Sequence, residues 1–235
     1  MNMFNNLGLA PSPRLSAPFP AWQQKDIHLV EHAIVLAWQY LRPDAAATLD
    51  LNGQTEVEIS VKLIDILERM LNAKSIKGFT GRRFSPPVRG QELVDVTAEE
   101  LEKRPDFSIR LLSSTPYSQH NSLFFECKRI SPKRSVADYI NEGLIKFCDQ
   151  RYAWGMSHAG MLAYVQNLTP ATQAIIELEK YWVNTPTSFT VPIADPVVER
   201  SGSIAVTITK HQRHLPLPSG EVSGGITLRH LWLST

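Results

Sequence analysis

Cysteine is nearly absent from this chain of 235 residues: Cys127 and Cys148 are the only two. That excludes a disulfide framework and suits reduced thiols in a reducing compartment. No apolar run approaches the roughly 20 residues of a membrane span. The opening MNMFNNLGLAPSPRLSAPFP lacks the charged start and apolar core of a secretory signal. A cytoplasmic protein without membrane contact is therefore expected. Net charge is scarce too, at +1. The G-x-x-x-x-G-K-[ST], G-x-G-x-x-G and G-x-S-x-G patterns are all missing, which removes the usual signatures of P-loop ATPases, dinucleotide-binding enzymes and α/β-hydrolases.

The low net charge averages over segments of opposite sign. Between Glu68 and Glu92 stand Arg69, Lys74, Lys77, Arg82, Arg83 and Arg89 with no acid, and Phe79 and Phe84 are interleaved. From Arg200 onward, Glu221 is the only carboxylate among Arg200, Lys210, Arg213 and Arg229. Acids gather instead at Glu92, Asp95, Glu99, Glu100 and Glu102. Basic loops carrying aromatics suit a nucleic-acid backbone. The hydrophobic content of 43% and charged content of 20% are those of an ordinary globular chain, and the length suits one α/β domain. Residues 1–22, with Pro11, Pro13, Pro18 and Pro20, read as an extended arm, and 23–235 as the single domain.

Ile27, Val30, Ile34, Trp38 and Leu41 recur at helical spacing over Gln24 to Leu41. A turn at Asn52-Gly53 precedes a second helix, Glu56 to Asn72, capped by Thr55, whose apolar face is Ile59, Leu63, Ile66, Leu67 and Met70. Ser75 to Gly90 is punctuated by glycine and proline and reads as loop or irregular strand, placed to cover a site. Strands are expected at 106–112, 123–130 and 159–165, with a helix over 136–154 between the last two. A helix over 169–183 and a terminal hairpin of Ser203 to Lys210 with Gly225 to Leu233 complete the chain.

Pro105-Asp106 and Glu126-Cys127-Lys128 sit on consecutive predicted strands. Side chains on a strand repeat direction every two residues, so Glu126 and Lys128 share a face. If the strands pair, Asp106 stands beside Glu126. Two carboxylates, with the Cys127 backbone carbonyl, can hold Mg²⁺, which activates water and neutralises a phosphodiester, while Lys128 orients that water or stabilises developing charge. These residues resemble the PD-(D/E)XK nuclease superfamily, the restriction-endonuclease-like fold. The resemblance implies an αβββαβ core, here with an added N-terminal helix and C-terminal β-hairpin. It also implies Mg²⁺, or Mn²⁺ in its place, and a DNA substrate, with RNA not excluded. A setting in prokaryotic restriction or phage defence, with protein partners or a homo-oligomer, is part of the same expectation.

The resemblance further implies a glutamate on the helix before the sheet. At about 100° per residue, Glu56 falls on the apolar stripe of its helix and Glu58 opposite it. Glu58 also completes a capping box with Thr55, so Glu56 is the expected accessory acid. Arg82, Arg83, Lys133, Arg134, His211 and Arg213 are the candidate nucleic-acid contacts.

Two other readings compete with this one. His28, Glu31 and His32 match H-x-x-E-H, the inverted zinc-peptidase pattern, in which two histidines bind Zn²⁺ and the glutamate serves as base. The second keeps the nuclease-like fold as a catalytically silent module that binds nucleic acid or a partner protein.

Overall fold

The computed structural model describes residues 18–42, 51, 53–93, 105–113, 118–166, 171–214, 216–217, 220–221 and 224–234. Two long helices come first, α1 (Gln24–Leu41) and α2 (Glu56–Ala73), both at the expected positions. Each buries one apolar stripe. α2 opens with the Thr55–Glu58 capping box and closes with Lys74 in the left-handed conformation at φ 54°.

Seven strands follow, in one sheet: β1 (Val88–Arg89), β2 (Phe107–Arg110), β3 (Ser122–Ile130), β4 (His158–Val165), β5 (Val197–Ser201), β6 (Ile204–His211) and β7 (Ile226–Ser234). Their spatial order is β1-β2-β3-β4-β7-β6-β5. β1, β2 and β3 pair antiparallel, β3 to β4 to β7 run parallel, and β7-β6-β5 is antiparallel again. The mixed α/β architecture matches the expected class. The terminal pair β6-β7 is no appendage, because β7 lies parallel to β4 and continues the same sheet. β1 lies in the segment read as loop or irregular strand, whereas β5 was not expected as a strand. β1 is only two residues of an otherwise irregular loop, and β5 exposes Val197 and Val198, so neither carries a clean alternation of apolar and polar side chains.

α1 and α2 cover one face of the sheet: Trp38 stacks on Tyr164 at 5.5 Å and Ser60 shares a hydrogen bond with the Tyr164 hydroxyl at 3.0 Å. The opposite face carries a helical run and then α5 (Ala171–Asn184). That run is α3 (Val136–Tyr139), a π turn over Ile140–Leu144 and α4 (Ile145–Cys148). One continuous helix to residue 154 was expected. The chain instead leaves helical geometry after Cys148, with Gln150 and Ala153 at φ 63° and 52°. The buried Arg213 guanidinium then takes the carbonyls of Ala153, Trp154 and Met156 at 2.7–3.0 Å, so these oxygens need no helical partner.

The arm also differs from expectation at its inner end. Phe19 and Trp22 are buried in the main core, and the Phe19 N–H donates to Gly155 O at 2.8 Å. The arm's earlier residues lie outside the described ones, as does Asn52 of the predicted turn. Among the described residues no helix is long and apolar enough to cross a membrane.

Gly160 sits opposite Phe125, whose ring stacks on Phe107 at 4.7 Å. A Cβ at Gly160 would overlap Cδ1 and Cε1 of that buried ring. Gly160→Ala is expected to lower unfolding stability by about 1–3 kcal/mol in chemical denaturation, the usual cost of overpacking a core.

Candidate active site

β2 begins only at Phe107, while β3 runs on to Ile130. The register pairs Phe107 with Phe125, so the next step places Asp106 opposite Glu126. Beyond that point the β2 side of β3 has no neighbouring strand, and its alternate backbone N–H groups need other acceptors. Two carboxylates supply them. The Cys127 N–H donates to Asp106 Oδ2 at 2.6 Å, and the Arg129 N–H donates to Glu56 Oε2 at 3.0 Å. Of the two competing glutamates, Glu56 is thus the one brought to the strand. Glu58 is exposed and caps its helix, accepting the Thr55 N–H at 2.7 Å.

Glu126 is 2% exposed and points to the face opposite α1 and α2. Lys128 lies on the same face, as the strand period requires. Its ammonium reaches Glu126 Oε1 at 2.8 Å, Glu56 Oε1 at 3.2 Å and the Cys127 carbonyl at 3.0 Å. The Cys127 carbonyl, expected as a metal ligand, accordingly accepts from this lysine. Gly143, in the π turn, packs over the lysine stem: a Cβ there would stand 3.1 Å from Lys128 Cγ and 2.9 Å from Met161 Cε.

A second ammonium belongs to the cluster and was missed in the sequence. Lys146 donates to Glu126 Oε1 at 2.5 Å, and its charge also lies 5.2 Å from the Tyr152 ring centre. Its only sequence signal is a cation three and seven positions after Gly143 and Tyr139, the residues that face the sheet. A uniform helix reading gave it no special direction.

Three carboxylates thus meet two ammoniums. Burial, and then the neighbouring Glu126 charge, push the Asp106 carboxyl up from 3.8 to about 7, against the pull of the Cys127 N–H and Lys128. Burial alone would lower the Lys128 ammonium; Glu126 and Glu56 outweigh it and hold the group above its usual range. The converging donors are hard oxygens. Among the described residues no group of three or more His, Cys, Asp or Glu side chains is set to hold a metal ion.

The other candidates scatter. Lys133 and Arg134 are exposed on the turn that follows β3, where Arg134 lies 3.6 Å from Glu142. Arg82 is exposed, but Arg83 is ion-paired with the buried Asp26, and its backbone bonds Leu112 at the other end of β2. That end is roughly 20 Å along the strand from Asp106, so this part of the loop does not cover the site. Only its last residues do, where the Gly90 N–H donates to Asp106 O at 3.3 Å.

His211 and Arg213 were expected to meet phosphate and instead lie in the interior, 0% and 1% exposed. Burial holds the His211 imidazole down at about 4, hence neutral, and it bonds Thr209 Oγ1 at 2.7 Å. Arg213 is spent on the three carbonyls described above. The zinc pattern separates as well. His28 and His32 are exposed, whereas Glu31 turns into the protein, where Arg229 Nη2 donates to its Oε2 at 3.0 Å. A glutamate so bound serves no zinc on the outer face.

A carboxyl whose folded pKa is raised contributes stability that is full below its unfolded pKa and is lost as pH rises through the folded value. For Asp106 that window runs from 3.8 to about 7. Asp106→Asn keeps an acceptor for the Cys127 N–H but does not ionise. In EDTA, its melting temperature relative to wild type should rise between pH 4 and 8 by on the order of 5–10 °C, then level off. A pH-independent difference in thermal melts would contradict the assignment. Comparison with family models, with curated proteins and with solved structures finds no match to this chain, so the chemistry of the site rests on its own geometry.

Proposed function

We propose that the chain is a Mg²⁺-dependent nuclease that hydrolyses phosphodiester bonds, with DNA as the first substrate to test. The observation that carries this reading is the strand register that sets Asp106 opposite Glu126, with Lys128 bridging Glu126 and Glu56. The order of elements supports it. α2 precedes three antiparallel strands, a helical run returns the chain, and β4 lies parallel to β3, which is the αβββαβ order of the PD-(D/E)XK resemblance.

The donor set fits Mg²⁺ or Mn²⁺. Mg²⁺ is commonly bound through one or two carboxylates, with water and substrate phosphate completing the shell. Asp106 and Glu126 would hold it, with the Cys127 carbonyl as a further oxygen. Bound there, the metal supplies a lowered water pKa and charge neutralisation at the phosphate. Burial, and then the neighbouring Glu126 carboxylate, raise the Asp106 pKa, and a divalent cation bound there would offset both. Lys128 stays protonated and donates toward the attacking water or the developing phosphoryl charge. Glu56 positions Lys128. Lys146 holds Glu126 by one oxygen, which directs the other toward the cation.

One observation favours the silent-module reading: Asp106 and Glu56 already serve a structural purpose by capping the open edge of β3. Cleavage assays separate the two readings. Plasmid, linear and single-stranded DNA, and RNA, are incubated with wild type in Mg²⁺ or EDTA, alongside variants. Lys128→Ala is expected to lose about 100-fold or more in rate. Glu56→Gln should lose less, and Glu58→Gln should match wild type. Equal behaviour of wild type and Lys128→Ala on every substrate would leave the silent module.

Lys146 gives an independent check. Lys146→Ala is expected to lower the cleavage rate roughly tenfold and to weaken Mn²⁺ binding measured by calorimetry, because Glu126 loses a hydrogen bond that orients its carboxylate. Lys146→Arg should restore most of both. An alanine variant with wild-type metal affinity and rate would remove Lys146 from the site.

A further inference from the structure

The parallel strands β3, β4 and β7 end together. Ile130 pairs with Val165 and Val165 with Ser234, so one edge of the sheet carries all three carboxyl ends. In open α/β sheets this edge is where ligands bind. At β3 it carries Lys128, Glu56 and the exposed Lys133 and Arg134. About 10 Å away, two strand spacings along, a pocket of about 310 Å³ opens at the end of β7. Arg42, Arg200, Gln39, Thr172, Ser203 and Ser234 line it, and among the described residues no acid does.

Its two guanidiniums come from separate elements. Arg42 directly follows α1, whose Trp38 indole donates to Ser234 O at 3.0 Å and ties that helix to the end of β7. Arg200 is on β5, next to the turn into β6. None of the ion pairs among the described residues involves either one, in contrast to Arg83, Arg213 and Arg229, which are held by protein partners. Hydroxyl and amide donors stand between them, where the Gln39 amide reaches Ser203 Oγ at 3.4 Å. Thr172 adds the first turn of α5, the end of that helix dipole that favours anions. The chemistry of the pocket is that of a phosphate receptor built from a forked pair of arginines.

We propose that this pocket holds a backbone phosphate of the nucleic-acid strand whose scissile bond lies at Asp106, Glu126 and Lys128. The proposal rests on the nuclease reading and extends it with a second anchoring point on the same edge of the sheet. Arg42 and Arg200 position the strand and take no part in bond cleavage. Both are exposed, so removing them leaves the core intact.

The test measures binding of a fluorescent single-stranded oligonucleotide in EDTA, by anisotropy across a salt series, for wild type, Arg42→Ala, Arg200→Ala and the double variant. Arg69→Ala, which removes an exposed partner of Asp65 on α2, is the control. Each lost phosphate contact lowers the slope of log affinity against log salt by about 0.7 for single strands. Both arginines hold the same phosphate, so the double variant should lose about 0.7 in slope, and the control nothing. Indole N–H signals of Trp38 and Trp232, which border the pocket, should shift with the oligonucleotide in wild type and not in the double variant. If wild type binds the oligonucleotide and the double variant keeps its slope, the pocket assignment falls while the nuclease reading stands. If wild type binds no oligonucleotide, yet inorganic phosphate or a mononucleotide shifts the indole signals, the strand-anchoring role falls and the pocket is a receptor for small phosphates, while the cleavage assays decide the nuclease reading.

Discussion

β3 outruns β2, and the site is built on that mismatch. From Cys127 onward one edge of β3 has lost its antiparallel neighbour, and a backbone N–H at a buried position must be satisfied. Asp106 and Glu56 do this from two different directions, one at the start of β2 and one at the start of α2. The need to cap a strand edge thereby draws two acids to the same few residues. Glu126 adds a third from the strand itself.

Concentrated negative charge then dictates the rest. Two lysines converge on Glu126 Oε1, while burial first, and then the Glu126 charge, raises the carboxyl of Asp106. Attraction to Glu126 and Glu56 holds the Lys128 ammonium above its usual range although burial alone would lower it. The helical run above the sheet is shaped around the two lysines. The π turn shifts the phase between Tyr139 and Lys146, and Gly143 within it lets backbone lie on the Lys128 stem. π turns of this kind interrupt α-helices at functional positions more often than elsewhere.

Basic residues near the C-terminus illustrate how charge in sequence differs from charge on a surface. Arg213 and Arg229 are both buried, one on three carbonyls and the other on Glu31 and Glu199. Their charges are internal struts. The outward cations Lys133 with Arg134, Arg42, and Arg200 come from three parts of the chain that share one sheet edge.

Local signals were strong where periodicity and capping act within a few residues. α1, α2, the Thr55–Glu58 box and the segments of β3 and β4 were legible because their burial pattern is written in consecutive side chains. Glu56 was separable from Glu58 for the same reason, since helix phase assigns a face. The candidate motif was legible too, as residue types at a spacing. Less legible were the end of the helical run at Cys148, the strand β5, the role of Lys146 and the burial of His211 and Arg213. Each of these depends on a partner distant in sequence: Arg213 takes the carbonyls of the chain beyond the helix, β6 makes β5 a strand, and Glu126 orients Lys146. A chain read in order specifies which side chains share a face; the pairing register of β2 with β3 and the packing of helices on the sheet specify which of those faces meet. Hydrogen bonds and ion pairs act over about 3 Å, so only the folded chain settles which acids and cations are neighbours.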